Sequence, residues 1–277
     1  MTQQPICELS ELAAAVPDGA KLVVAQDNCG VSMAATRELV RRGVRDLHLV
    51  CVPVSGLQAD ILIGAGAVAT LETSAITLGE FGPAHRFIDA LRKGRIRMMD
   101  ATCPAIHAAI QAGQKGIPFI PLRGLIGSDL LATRKDWKVV DNPFNPGDPI
   151  AVLPAINPDI ALFHAPLADR AGNVYIGRRR ELLTMAHAAK QTFVTVEAIS
   201  EQNLFDDAKL APGVVPAIYV SRIALAKNGA WPVGLPEHYG PDDAELGRYV
   251  QSAKTEDGFR RYLDAWLGAT QAEVQPA

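Results

Sequence analysis

Polar turns break the apolar runs of this chain at points where a ligand could be held. Gln26-Asp27-Asn28-Cys29-Gly30 follows the run Lys21–Ala25 and precedes an amphipathic stretch, so it joins a strand's C-terminal end to a helix's N-terminus. The amides of Gln26 and Asn28 can donate to a carbonyl or an oxyanion, and Gly30 lets backbone approach closely. The same residues also suit a plain polar turn with an Asn or Asp cap. Arg123 stands in Pro121-Leu122-Arg123-Gly124-Leu125-Ile126-Gly127-Ser128-Asp129, after a run that reads as a buried strand. A guanidinium there can grip a carboxylate or phosphate in a two-pronged contact, and Gly127 and Ser128 are expected to bind substrate beside it. Its alternative is a pair with a nearby acid such as Asp129. His164 opens a third turn, Asp169-Arg170-Ala171-Gly172-Asn173, whose residue types serve backbone capping; a lone histidine at a strand end is ordinarily packed and hydrogen-bonded. The histidines at 48, 85, 107, 164, 187 and 238 have no metal-ligand spacing, so no metal site is expected. Gly64-Ala65-Gly66 lacks the third glycine of a dinucleotide fingerprint, which argues against nicotinamide binding.

The elements that must position these turns alternate between two periods. Strands are predicted at Lys21–Ala25, Asp46–Val52, Asp60–Ile63, Ile96–Met99 and Ile117–Pro121. Between them lie helices at Ser32–Arg42 (capped by Ser32, stopped by Gly43), Pro83–Lys93 and Pro104–Lys115. Such alternation requires crossover connections and so an α/β fold, with a mainly parallel sheet and helices on both faces. Asp141–Pro158, rich in Pro, Asn and Gly, reads as a turn-rich connection. Strands follow at Asp159–His164, Asn173–Ile176, Thr192–Ala198 and Val214–Val220. Helices are expected at Arg180–Lys190, Asp242–Ser252 and Glu256–Leu267. One domain over 1–277 is expected, its core about 20–235, with the C-terminal helices at 241–268.

Composition narrows the partners. With 48% hydrophobic and 21% charged residues in 277, the chain can bury a substantial core. A net charge of −3 with no dense Lys/Arg run argues against nucleic acid and anionic membranes. No apolar stretch reaches the roughly 20 residues of a membrane span, and Met1–Ser10 does not read as a secretory signal. A cytoplasmic protein is expected. Its four cysteines, with no C-x-x-C pair, read as reduced thiols.

Several segments resemble, in the same order, the alpha subunits of family I coenzyme A transferases, the glutaconate CoA-transferase type in particular. They are Met33–Ala35 through Glu38–Gly43 to Asp46–Val50, then Asp60–Val68, then Gly116–Pro121 with Gly127-Ser128-Asp129, and finally His164–Asn173; together they span roughly 20–200. The loop at Gln26–Gly30 departs from the Gly-Gly-Phe-type turn usual there. The resemblance implies that CoA is moved between an acyl-CoA and a carboxylic acid, with acyl-CoA as substrate and no permanently bound cofactor. It also implies a beta-type partner, in a heterodimer or heterotetramer, that carries the nucleophilic glutamate in a Glu-x-Gly-x-x-Gly-like turn. Glu80-Phe81-Gly82 copies the first positions of that turn but lacks the later glycine, so Glu80 reads as a decoy. Hydrolases of the same fold that open carbocyclic β-keto acyl-CoA rings place an acid/base carboxylate before the helix of the Gly-Ile-Pro-Phe segment. Here that position offers only Asp100 or Thr102. A ring-opening hydrolase is therefore the second expectation and a non-catalytic scaffold the third.

Overall fold

In the computed structural model, which describes residues 5–268, strands β1 (Lys21–Val24), β2 (Leu47–Cys51), β3 (Val68–Thr73) and β4 (Arg97–Asp100) lie side by side and parallel. β5 (Phe119–Leu122), β6 (Lys138–Asn142) and β7 (Asn145–Pro154) leave them for a separate antiparallel sheet of order β5-β7-β6. The chain then returns through β8 (Ile160–Asp169), β9 (Val174–Tyr175), β10 (Gln191–Ser200), β11 (Val214–Val215) and β12 (Arg222–Leu225). β8 pairs parallel with β1 on one side and β10 on the other, and β10 with β12; the short β9 and β11 add antiparallel pairs to complete a nine-stranded sheet. From β1 the chain winds outward one way to β4, and from β8 it winds outward the other way to β12. The winding reverses between β1 and β8, where open parallel sheets leave a crevice beyond the strand ends.

Alternation within the strands feeds two cores. Leu22 and Val24 of β1 join Leu47, Leu49 and Leu162 beneath α1 (Leu9–Ala14), α2 (Met33–Arg41), α3 (Leu57–Gly64) and α4 (His85–Arg92). Val23 joins Val50, Phe163 and Val194 on the opposite face, beneath α5 (Cys103–Gln114) and, beyond the one-turn α6 (Leu130–Thr133), α7 (Arg180–Ala188). Burial on both faces explains why these strands are mostly apolar. The last helices, α8 (Asp243–Ala253) and α9 (Glu256–Gly268), form an outer layer whose Tyr249, Phe259 and Trp266 pack on Met33, Leu57 and Ile61.

Several expected elements change in the folded chain. Asp60–Ile63 is not a strand but part of α3, all of whose residues from Leu57 to Ile63 are buried. A helix enclosed by the sheet on one side and by α8 and α9 on the other has no polar face, so its period is invisible, and the true strand is Val68–Thr73. The expected connection Asp141–Pro158 holds β7, the middle strand of the small sheet. Many of its Pro, Asn and Gly residues, at 142–149, lie around the turn from β6, while Ala151 and Val152 pair on both sides. β5 belongs to that small sheet with alternate residues exposed, so Arg123 does not follow a buried parallel strand. Of Val214–Val220 only the first two residues are strand, and Ala217–Tyr219 forms a 3-10 turn.

Candidate active site

Two adjoining clefts open beyond the C-terminal end of β1, of about 370 and 440 Å³. Both are lined by Asn28, Val233 and Pro241. The smaller is completed by Asp27, Val54, Leu246 and the turn Thr77–Phe81; the larger is walled by the loop from Gly234 to Gly240. The loop after β1, expected to bind ligand, thus lies at the point where the winding reverses.

Each residue of that loop has a distinct task. Gly30 has φ 89°, and a Cβ there would strike the carbonyl oxygen of His164, whose own N–H donates to Gly30 O at 2.7 Å. The glycine is required by conformation and by space together. Gln26 points its carboxamide at Cys29 Sγ (2.8 Å) and Glu181 Oε1 (3.5 Å), away from an oxyanion role. Burial, reinforced by Glu181, pushes the Cys29 thiol up to about 12, leaving it protonated. Asp27 accepts from the N–H groups of Gly56 (2.9 Å) and Leu57 (3.3 Å), acting as a remote cap for α3, whose own N-cap Gly56 has no side chain. A Cβ on Gly56 would collide with Asp27 and with Thr77 O. Burial raises the Asp27 carboxyl to about 6, against the pull of those two amides. Asn28 is exposed on the cleft, and its carboxamide has no hydrogen-bond partner among the described residues.

Beneath the larger cleft lies a buried polar chain of which the sequence singles out His164 and, as a helix cap, Ser32. Glu197 Oε1 accepts from Tyr239 OH (2.7 Å), His164 Nε2 (2.7 Å) and Gly229 N (3.1 Å), and Oε2 accepts from Asn228 N (2.8 Å). His164 Nδ1 lies 2.8 Å from Thr195 Oγ1, which lies 2.7 Å from Ser32 Oγ. Ser32 does precede α2 as expected, but its hydroxyl serves this chain rather than capping the helix. Burial works to raise the Glu197 carboxyl; the hydrogen bond and charge of His164, with Tyr239 and Asn228 N, outweigh it and hold the group below its ordinary range. Burial and Glu197 push the Tyr239 phenol well up. A single Glu inside an apolar strand pattern was the available signal: Glu197 interrupts the run Thr192–Ala198, where an unpaired carboxylate could not be buried.

The remaining candidates lie in three places. Glu80, read as a decoy, sits exposed in a 3-10 turn on the rim of the smaller cleft, beside Asp27 and Asn28. Asp100 ends β4 in solvent with its carboxylate accepting from Ala101 N (2.9 Å), and Thr102 caps α5 by accepting from Ala105 N (3.2 Å). Neither lines the two clefts. Arg123 makes a two-pronged pair with Asp148 (2.6 Å for the first contact) rather than with Asp129. It lies on the rim of an apolar groove of about 610 Å³ in the small sheet, not on the clefts. Gly127 (φ 83°) turns the chain before α6, and Ser128 Oγ accepts from Leu130 N (3.2 Å).

Comparison with known proteins places this arrangement. A family model described as coenzyme A transferase matches residues 7–223. Over 248 residues the chain is 31% identical to the A subunit of the 3-oxoadipate CoA-transferase of Pseudomonas knackmussii, covering 87% of this chain and 85% of that relative. The chain belongs to the coenzyme A transferase family. The crystal structure of glutaconate coenzyme A-transferase from Acidaminococcus fermentans matches it with a TM-score of 0.89 at 26% identity, over 95% of this chain and 88% of that one. A variant of the decarboxylase AibA/AibB matches with a TM-score of 0.85 at 32% identity, over 97% and 100%. The family resemblance seen in residues 20–200 is borne out, and so is the mainly parallel α/β fold. The loop that walls the larger cleft, Asn228–Pro241, lies just past the residues that the family model matches.

Proposed function

We propose that this chain is the alpha-type half of a two-chain acyl-CoA transferase, its clefts holding the thioester while a beta-type partner brings the nucleophilic glutamate. The observation that carries this reading is the state of the acids at the cleft. Asp27 is bound to two backbone amides, and Glu80 stands in solvent on the rim with no hydrogen-bond partner among the described residues to orient it. Next to them Asn28 offers an uncommitted amide. An uncommitted donor beside a cavity suits an oxyanion, and a carboxylate from outside completes the site.

In this scheme the partner's glutamate attacks the thioester carbonyl, the Asn28 amide donates to the oxygen as it gains charge, and CoA leaves as thiolate. The resulting mixed anhydride is attacked by that thiolate at the glutamyl carbonyl, which releases the first acid as carboxylate and leaves an enzyme thioester. The acceptor carboxylate then reverses both steps. The test is trapping: the complex incubated with acyl-CoA and then hydroxylamine should carry the modification on a partner glutamate. Recovery of the modified residue as Glu80 would move the chemistry into this chain. The ring-opening hydrolase reading ranks lower because Asp100 and Thr102 lie off the clefts.

A further inference from the structure

The wall of the larger cleft hangs from one carboxylate. At its root the N–H groups of Asn228 and Gly229 donate to the two oxygens of Glu197, at 2.8 and 3.1 Å. At its far end Tyr239 OH donates to Glu197 Oε1 at 2.7 Å and accepts from Ala230 N at 3.0 Å, so beginning and end of the loop are closed on the same group. Leu235 and Tyr239 exchange two backbone hydrogen bonds between these points, at 3.0 and 2.9 Å. Gly229 lies so close over the His164 ring that a Cβ would collide with it, and Gly229 O accepts from Ala34 N of α2 at 2.9 Å.

The same carboxylate also reaches the other wall. His164, bonded to Glu197 through Nε2, donates its backbone N–H to Gly30 O, and its Nδ1 leads through Thr195 to Ser32, just after the Gln26–Gly30 loop. Glu197 itself is absent from the lining of both clefts, whereas Asn28 lines both and Tyr239 the larger. An ionised carboxylate accepts at every position, which suits four converging donors; a carboxamide would turn an N–H toward at least one of them.

We propose that Glu197 is a positioning residue of the acyl-CoA site, holding the Asn228–Pro241 wall and the Gln26–Gly30 loop in register. The ligand named here rests on the function proposed above; the mechanical claim does not. Hydrogen exchange on the full-length chain tests that claim directly. Glu197→Gln should speed exchange at residues 228–230 by about tenfold or more while amides of β1 and β2 keep their wild-type rates. Tyr239→Phe removes a single hydroxyl and should do the same at Ala230 alone, which keeps the test decisive if the first variant folds poorly. Glu72→Gln, at the other side of the sheet, should lower the melting temperature without loosening 228–241. In the complex with its partner, Tyr239→Phe should lower kcat/KM for acyl-CoA about tenfold, chiefly through KM, because the cleft wall and not a reacting group has moved. Wild-type exchange rates in the loop of both variants, or loosening that spreads equally over the central sheet, would overturn the proposal. A wild-type complex that turns over no acyl-CoA would remove the functional reading and leave the exchange result to decide the role of Glu197.

Discussion

At the mouth of the clefts Asn28 keeps a carboxamide with no hydrogen-bond partner among the described residues, while Gln26, two residues earlier, directs its own to Cys29 and Glu181. The two amides that look equivalent in sequence should therefore behave differently. Asn28→Ala should lower kcat about 10²-fold or more, the usual cost of one oxyanion donor, while Gln26→Ala should stay within about tenfold. Equal losses in steady-state assays of the complex, or none, would remove the distinction. Asp27 adds a pH dependence of known sign. Its carboxyl is raised from 3.8 to about 6 by burial, so the folded chain holds that proton more tightly than the unfolded one. The stability this confers is complete below pH 3.8 and is lost as pH rises through about 6. Denaturant titrations should show wild type losing ground to Asp27→Asn between those limits, and a difference that does not change with pH would contradict the burial of the group. Asp27 passed as a turn residue in sequence because its partners, Gly56 and Leu57, are 29 and 30 positions away.

At the scale of elements, a buried ion cluster fastens the small-sheet excursion to the main sheet. Glu72 on β3 accepts from Arg134 (2.8 Å) and His48 (3.1 Å), with Lys21 at 3.4 Å, and Arg134 also pairs with Asp136 and stacks on Trp137. Burial alone would raise the Glu72 carboxyl; the His48 hydrogen bond and the charges of Lys21 and Arg134 outweigh it and hold the group at about 2. Its folded value lies below its ordinary one, so this stability is present above about 4.5 and is lost as pH falls through about 2. Glu72→Gln should cost about 3 kcal/mol at neutral pH, the low end for stranding a buried charge because Asp136 remains with Arg134. The cost should shrink in acid, where wild type gives up the same interaction; an undiminished difference near pH 2 would count against this account. None of these partners is adjacent in sequence to Glu72, and nothing in the pattern of β3 singles it out. The helices with one wet face, α2, α4 and α7, were legible from their period, whereas α3 was not because both of its sides are covered.

For the molecule as a whole, the divided site proposed above predicts that the isolated chain transfers no CoA and that activity appears when a beta-type partner is co-expressed, across an interface of more than ~2,000 Å² if the pair is obligate. Glu80→Gln should leave that complex within a few-fold of wild type. An active isolated chain, or a complex silenced by Glu80→Gln, would place the nucleophile here instead. Sequence alone marked most of the alternation of strand and helix, since strands buried on both faces are largely apolar and helices between them must cross over to keep the strands parallel. It also marked the Gln26–Gly30 loop as a candidate, since polar residues between a strand end and a helix start suit either a ligand or a plain capped turn. It could not show that the winding reverses beside that loop, because strand order depends on where the chain returns after β7. Arg123 was misplaced for the same reason, its strand having gone to the small sheet. Only the tertiary structure joined Asn28 to a wall some 200 residues later and set Glu197 beneath that wall, since a carboxylate acquires its donors by folding and not by spacing.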